Sequence, residues 1–340
     1  MKSFAHVFDR VPRLRLAHLP TPVEELPALS RLLGGPRLLI KRDDQTGLGL
    51  GGNKARKLEF LIADALTQKA TTIVTAGAAQ SNHCRQTAAA AARVGLECEL
   101  VLGGAEQKQP TGNLLLDYLF GATVHWTGME RRGERMREIA VELERNGKKP
   151  YLIPYGGSNA VGTAGYALAM VELMEQLERE RLTVDRIVFA SSSGGTQAGI
   201  AVGARAAGYA GGLIGISIDK GEREPAPFEE ELSSLSNATA VRLGLPASFM
   251  PRDFAVRYEF LGGGYGVMGD SERDAIRLLA KHEGLLLDPV YTGRAMGALL
   301  SMIRSGEIPA RETVLFWHTG GAPALFAYAT DLRPPGAAVR

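Results

Sequence analysis

Along this chain, short apolar and β-branched runs alternate with longer stretches whose apolar positions recur at helical spacing. The runs at residues 38–41, 72–76, 97–102, 123–126, 151–153, 186–190, 213–218 and 313–317 read as strands. Many are continuously apolar, the pattern of strands buried on both faces. Residues 54–68 read as a helix, because Leu58, Leu61, Ile62, Ala65 and Leu66 follow the i, i+3, i+4, i+7, i+8 stripe of a core-facing surface. Residues 81–94 read as another, with Ser81 as N-cap and Gly95 as the stop. The charged stretch 130–149 (ERRGERMREIAVELERNGKK) has the character of a solvated helix face. Strands alternating with helices predict an α/β protein built on parallel sheets.

A chain of 340 residues, 45% hydrophobic and 22% charged, suits one large domain or two of roughly 150 residues. Lys plus Arg number 39 against 37 Asp plus Glu, and a net charge of +2 gives no field that would recruit nucleic acid or an anionic membrane. Two cysteines, Cys84 and Cys98, are too few for a disulfide scaffold or a cysteine metal cage. No metal is expected, and a reducing compartment fits. No stretch approaches 18 apolar residues, and no apolar run precedes a cleavage site. A cytoplasmic protein is expected; the arginines at 10, 13 and 15 make a short organellar presequence the alternative.

Glycine clusters fall where the strands end, at residues 47–52, Gly156-Gly157, Gly194-Gly195, 262–264 and Gly320-Gly321. Ligands of open α/β sheets gather outside the carboxyl ends of strands, so several of these loops can face one site. Residues 186–200 (RIVFASSSGGTQAGI) run from a strand through small residues into an Ala/Gly-rich helix. The N–H groups of Gly194, Gly195 and Thr196, the Thr196 hydroxyl and the helix dipole would hold a phosphate. A dinucleotide is the rival ligand, with Asp219 ending the next strand, but the G-x-G-x-x-G spacing is missing.

In residues 46–59 (TGLGLGGNKARKLE) Lys54 opens a helix, where the dipole disfavours a cation. A partly desolvated amine there loses proton affinity and becomes able to form a Schiff base with an aldehyde. Lys41 and Lys57 are nearby competitors. Residues 75–87 (TAGAAQSNHCRQT) place Ser81, Asn82 and His83 at a helix start suited to a carboxylate, with Gly77 in the preceding turn. Cys84 reads as a small buried hydrophobe. Residues 287–296 (LDPVYTGRAM) and 315–323 (LFWHTGGAP) each end an apolar run with a hydroxyl residue beside glycine.

Together GGNKARKLE, AAQSNHCRQTAA, SSSGGTQAG, GGGYG, DPVYTG and HTGG, in this order, resemble the pyridoxal-phosphate enzymes of the tryptophan-synthase-β fold type. Within that group they resemble the branch holding D-cysteine desulfhydrase, 1-aminocyclopropane-1-carboxylate (ACC) deaminase and L-cysteate sulfo-lyase. The resemblance spans residues 19–323. It implies two parallel-sheet α/β domains with the cofactor in the cleft, a larger one made of residues 1–58 and 166–340 and a smaller inserted one of residues 59–165. It also implies a homodimer. Lys54 would join pyridoxal 5'-phosphate as a Schiff base, and Ser193, Gly194, Gly195 and Thr196 would hold the phosphate. Asn82 would bond the ring oxygen. Ser81, with Asn82, His83 and Gly77, would face the carboxylate of a small amino-acid substrate. Tyr265 and Tyr291 match the branch's active-site tyrosines and would relay protons.

Thr292 and Thr319 stand where the deaminases of the branch carry a glutamate and a leucine. A threonine hydroxyl keeps the ring nitrogen protonated less well than a carboxylate, which disfavours ring-opening deamination. The expected reaction is β-elimination on a small β-substituted amino acid, D-cysteine first, giving pyruvate, sulfide and ammonia. L-cysteate, with sulfite release, is the alternative and then ACC; Arg85 and Arg294 lie inside the motifs as possible sulfonate ligands. A catalytically silent protein that binds the cofactor or a nucleotide is the alternative from another class.

Overall fold

The computed structural model describes residues 7–8, 10–128, 131–219, 221, 227–246 and 248–333. The first part of the chain forms β1 (Val23–Glu25), α1 (Pro27–Leu33), β2 (Arg37–Arg42) and α2 (Lys54–Thr67). Then come β3 (Thr72–Ala78), α3 (Asn82–Val94), β4 (Glu97–Gly103), α4 (Gly112–Leu119), β5 (Thr123–Thr127), α5 (Arg132–Arg145) and β6 (Pro150–Leu152). The long helix α6 (Ala160–Glu180) leads to β7 (Arg186–Ser191), α7 (Gly195–Ala207), β8 (Gly212–Ser217), α8 (Phe228–Arg242) and β9 (Ala255–Arg257). The chain closes with α9 (Asp270–Glu283), α10 (Thr292–Arg304), β10 (Thr313–His318) and α11 (Ala329–Leu332).

Two sheets result. The larger has the order β1-β2-β10-β7-β8-β9, and the smaller β5-β4-β3-β6. All pairings are parallel except β1 with β2. The predicted strands are all present, β6 and β8 one residue earlier than expected. The three-residue strands β1 and β9 edge the larger sheet and carry no run long enough to read from sequence. The expected domain limits, after residues 58 and 165, fall inside α2 and α6. No described helix is long and apolar enough to cross a membrane.

Burial explains the local choices. Leu38, Leu39 and Ile40 of β2 are covered on both faces, as a central strand requires. Leu58, Leu61, Ile62 and Ala65 of α2 pack with Ile73, Leu100 and Leu102 of the smaller sheet into one core. Leu66 departs from the expected stripe: it lies 40% exposed, where the helix runs out past the edge of that core. Ser81 caps α3 by accepting the Cys84 N–H at 3.1 Å, and Gly95 ends the helix in the left-handed region. The charged stretch 130–149 supplies α5, which buries Met136, Ile139, Ala140 and Leu143 and turns its charges to solvent.

Loops that follow strands of both sheets line one cleft. From the larger come the loops after β7 and β10 and the turn before α2; from the smaller, those after β3 and β6.

Candidate active site

A cleft lies between the two sheets, lined by Lys54, Ser81, Asn82, His83, Tyr155 and Tyr291 around the loop of residues 190–194. Lys54 opens α2, behind a glycine loop that needs its glycines. Gly51 has φ +71°, and a Cβ there would stand 1.9 Å from the Asp44 carbonyl oxygen. Arg85 on α3 braces the same loop, donating to the carbonyls of Gly49 at 2.6 Å and Gly51 at 2.9 Å. Burial lowers the Lys54 amine to about 8, although Asp219 opposes the shift by its negative charge. A neutral amine is therefore accessible near physiological pH.

The competing lysines are committed elsewhere. Lys41 is buried against Glu172, Gln176 and the Thr21 carbonyl. Lys57, one helical turn from Lys54, donates to the Gly156 carbonyl at 3.0 Å and to Ser158 Oγ at 3.2 Å. Ser158 in turn bonds Ser193 Oγ at 2.8 Å and accepts the Gly195 N–H at 3.1 Å. Lys57 thus backs the loop from behind, and burial, with Lys54 beside it, pushes its amine well below the ordinary lysine range.

At the start of α7 the chain turns through Gly194 at φ +79°. Ser191 Oγ and Ser192 Oγ, both at the cleft, are buried without a partner in the protein. Thr196 accepts from Asn53 Nδ2 at 3.2 Å and keeps its hydroxyl proton to donate. Unpaired hydroxyls at the N-terminus of a 13-residue helix, in one cleft with a lysine that can shed its charge, fit the phosphate and aldehyde of the cofactor expected from the sequence. Gly195 stands behind this rim rather than on it, facing Lys57 and Ser158.

On the opposite wall, Asn82 Oδ1 accepts from Asn113 Nδ2 at 2.9 Å, which directs the Asn82 amide N–H₂ the other way. His83 is neutral: burial and the two nearby lysines hold it well below the usual range. The Thr75 hydroxyl gives its proton to the Ile153 carbonyl, so it accepts from His83 Nε2, and the lone pair of Nδ1 has no partner in the protein. Gly77 does not line the cleft. A Cβ there would strike Ser81 Oγ and Cys84 Sγ, so it makes room for the α3 cap instead. Burial raises the Cys84 thiol, which packs in the core.

The two threonines part company. Thr319 lines the cleft. Thr292, expected beside it, is withdrawn: its Oγ1 donates to Asp288 Oδ1 and accepts the Asp288 N–H, both at 2.7 Å. Asp288 also takes the N–H groups of Val290, Tyr291 and Thr292, so Thr292 belongs to the cap that starts α10. Tyr265 meets the cleft through Tyr291, with hydroxyls 2.7 Å apart. Tyr155 also lines the cleft, and the sequence marks it only by its place before Gly156-Gly157 at a strand end. A Cβ on Gly156, at φ +64°, would come 2.2 Å from Ser193 Oγ, so this glycine lets the two sheets' loops meet. Arg294, like Arg85, does not line the cleft and holds backbone carbonyls instead.

Comparison with known proteins shows the family. The sequence profile of the family described as "Pyridoxal-phosphate dependent enzyme" matches residues 14–320. A D-cysteine desulfhydrase of Klebsiella pneumoniae (strain 342) is 44% identical over an alignment of 325 residues, which covers 94% of this chain and 97% of that one. A crystal structure described as an ACC deaminase homologue superposes with a TM-score of 0.88 at 37% identity and covers 98% of both chains. A threonine deaminase of T.th. shares the fold at a TM-score of 0.68 and 19% identity, over 94% of this chain and 97% of that one.

Proposed function

Because the chain belongs to the pyridoxal-phosphate dependent enzymes, we propose that it is a lyase that eliminates the β-substituent of a small amino acid, D-cysteine above all, releasing pyruvate, sulfide and ammonia. The observation that carries this reading is Lys54: a buried amine lowered to about 8, facing unpaired hydroxyls at a helix N-terminus. When bound, pyridoxal phosphate supplies an aldehyde to condense with the substrate amine and a ring that draws electrons from Cα.

The protein's residues do the rest. Ser191, Ser192, Ser193, Gly194 and Thr196 hold the phosphate, with Gly195 and Lys57 bracing them. The Asn82 N–H₂ would donate to the cofactor's ring oxygen, and the Thr319 hydroxyl would serve its ring nitrogen. Ser81, with Asn82 and His83, receives the substrate carboxylate. Lys54 Nζ takes the Cα proton as general base, and Tyr291, backed by Tyr265, gives a proton to the departing sulfur. Walls on both sides keep water away from the electron-rich Cα.

Substrate choice follows from the arginines. Both that lie within the site motifs, Arg85 and Arg294, grip backbone and stand away from the cleft wall. A sulfonate would call for a directed cation, whereas a thiol needs only a proton. The 44% identical relative named for D-cysteine agrees. A homodimer, a cytoplasmic location and a smaller unit of residues 59–165 that closes over a larger one complete the proposal.

The test is a panel of D-cysteine, L-cysteine, L-cysteate and 1-aminocyclopropane-1-carboxylate, with pyruvate, 2-oxobutyrate, sulfide and sulfite followed together. A yellow protein releasing sulfide and pyruvate from D-cysteine in preference to the rest is expected. Sulfite from L-cysteate as the dominant activity, or no turnover of any of the four, overturns the reading.

A further inference from the structure

Asn113 lies in none of the site motifs and does not line the cleft, yet it is wholly buried and bonded to a residue that does. It sits in the first turn of α4, and the start of that helix is stitched to the turn before α3. Gln80 Oε1 accepts the Asn113 N–H at 2.8 Å, and Gln80 Nε2 donates to the Thr111 carbonyl at 3.0 Å. Gly112, at φ +59°, makes the room, since a Cβ there would stand 2.5 Å from Gln80 Oε1. The Asn113 side chain then donates twice through Nδ2, to the Gln80 carbonyl and to Asn82 Oδ1, both at 2.9 Å. A backbone carbonyl can only accept, so Gln80 fixes which end of the Asn113 amide faces it. Asn113 in turn fixes Asn82, whose oxygen is taken and whose N–H₂ is left over. Gly321 keeps that N–H₂ uncovered: a Cβ there would come 2.7 Å from Asn82 Nδ2. Asn113 Oδ1 is buried without a partner in the protein, a cost in stability that an apolar side chain of like size would avoid. Packing alone does not account for an asparagine here.

We propose that Asn113 is a positioning residue that acts through Asn82 to keep the cofactor's ring oxygen ionised. The proposal rests on the reading that Asn82 serves that oxygen, and it adds what enforces the orientation. An amide presents either end with almost the same shape. With Oδ1 towards the cofactor, Asn82 would set an acceptor against the ring oxygen and favour its protonated form. With N–H₂ towards it, Asn82 donates and favours the anion. The choice between the two is made outside the cleft, by a carbonyl that cannot turn round.

Asn113→Ala, Asn82→Ala and the double variant are compared with wild type in two measurements. One is the affinity of the cofactor-free protein for pyridoxal phosphate. The other is the pH midpoint at which the loaded protein exchanges its visible band for a near-ultraviolet one as the ring oxygen takes up a proton. Asn113→Ala is expected to bind the cofactor about tenfold more weakly, the scale of one hydrogen bond to a charged acceptor, with the midpoint raised by about one pH unit. Asn82→Ala should match it, and the double variant should go no further than Asn82→Ala alone. Additive losses in the double variant, or a weaker affinity with an unmoved midpoint, are what a merely structural role would give, and either overturns the proposal. Asn113→Asp, of nearly the same shape, serves if the alanine variant does not fold. Its carboxylate offers only acceptors, so it should draw the Asn82 N–H₂ inward and raise the midpoint at least as far. Wild-type affinity and midpoint in the folded Asn113 variant also overturn the proposal. Wild-type values in Asn82→Ala overturn instead the assignment of Asn82 to the ring oxygen, a separate result.

Discussion

Arg294 and Glu272 form an ion pair shut away from water, Nε to Oε1 at 2.6 Å, with side chains only 2% and 5% exposed. The guanidinium also donates to the carbonyls of Ile218 at 2.9 Å, Gly264 at 3.0 Å and Val267 at 2.9 Å. One side chain thus ties α9 and α10 to the loop that carries Tyr265 and to the segment that leads to Asp219. A planar fork of donors suits four acceptors in different directions, and a lysine could not replace it.

Arg294→Ala strands the Glu272 carboxylate in the interior, and removing one partner of a buried pair costs about 3–5 kcal/mol. Urea unfolding of the cofactor-loaded protein measures this. Arg294→Lys is expected to recover part of the stability yet keep a depressed kcat, since the Tyr265 loop stays loose. A loss under about 1 kcal/mol for the alanine variant would show that the pair contributes no more than a surface contact.

Asp43 is the corresponding anchor on the other flank of the larger sheet. Burial alone would raise its carboxyl, but Arg56 beside it, with Lys41 and the Tyr166 hydroxyl, brings it down to about 2. Thr21 and Trp317 Nε1 add donors at 2.8 Å each. The unfolded chain binds the proton near pH 4 and the folded one only near 2, so between these values unfolding takes up a proton and stability rises with pH. The contribution, about 2 kcal/mol, is complete above pH 4 and is lost as acid is added towards pH 2. In Asp43→Asn this part of the acid limb of a stability-against-pH curve should flatten. A variant with the wild-type slope between pH 2 and 4 would remove Asp43 as its source.

The fold was legible because it is written in continuous apolar runs such as residues 72–76 and 313–317 and in caps such as Ser81 and Gly95, all local signals. The place of Lys54 at the head of α2 was legible for the same reason, and a cation at a helix start is out of place unless its charge can be shed. What local pattern could not convey is which way a side chain turns when two acceptors compete. Thr292 and Thr319 look alike in sequence, each beside a glycine, yet Asp288 captures the first and leaves the second to the cleft. Arg85 and Arg294 look like anion ligands because their motifs face the site, but nearby carbonyls, fixed only by the fold, claim them. Tyr155 escapes notice because only the fold brings it to the cleft wall, from a strand end with no other chemical signal around it.

The two threonines can be told apart by colour and by stability. Thr292→Ala removes two bonds and leaves the buried Asp288 N–H unpaired, a cost of about 1–3 kcal/mol, with no shift of the visible cofactor band. Thr319→Ala is expected to do the reverse, changing the band or the affinity for pyridoxal phosphate while stability moves by less than about 1 kcal/mol. Matching spectral changes in both variants would return Thr292 to the ring.

Lys54 gives the sharpest pH dependence. Only the neutral amine attacks an aldehyde, so the rate at which the cofactor-free protein takes up pyridoxal phosphate should rise with pH and level off above about 8, whereas an exposed lysine would still be climbing beyond about pH 10. Burial lowers the amine by disfavouring its charge, and Asp219 works against that by stabilising the ammonium. Asp219→Asn removes the opposing influence, so its uptake profile should shift to lower pH, not higher. Lys54→Ala should take up no cofactor covalently and stay colourless after dialysis. Stopped-flow absorbance across about pH 6 to 10 reads all three. A wild-type midpoint near that of free lysine, or an Asp219→Asn profile displaced upward, would mean that the amine is solvated and that its burial is not what prepares it for the aldehyde.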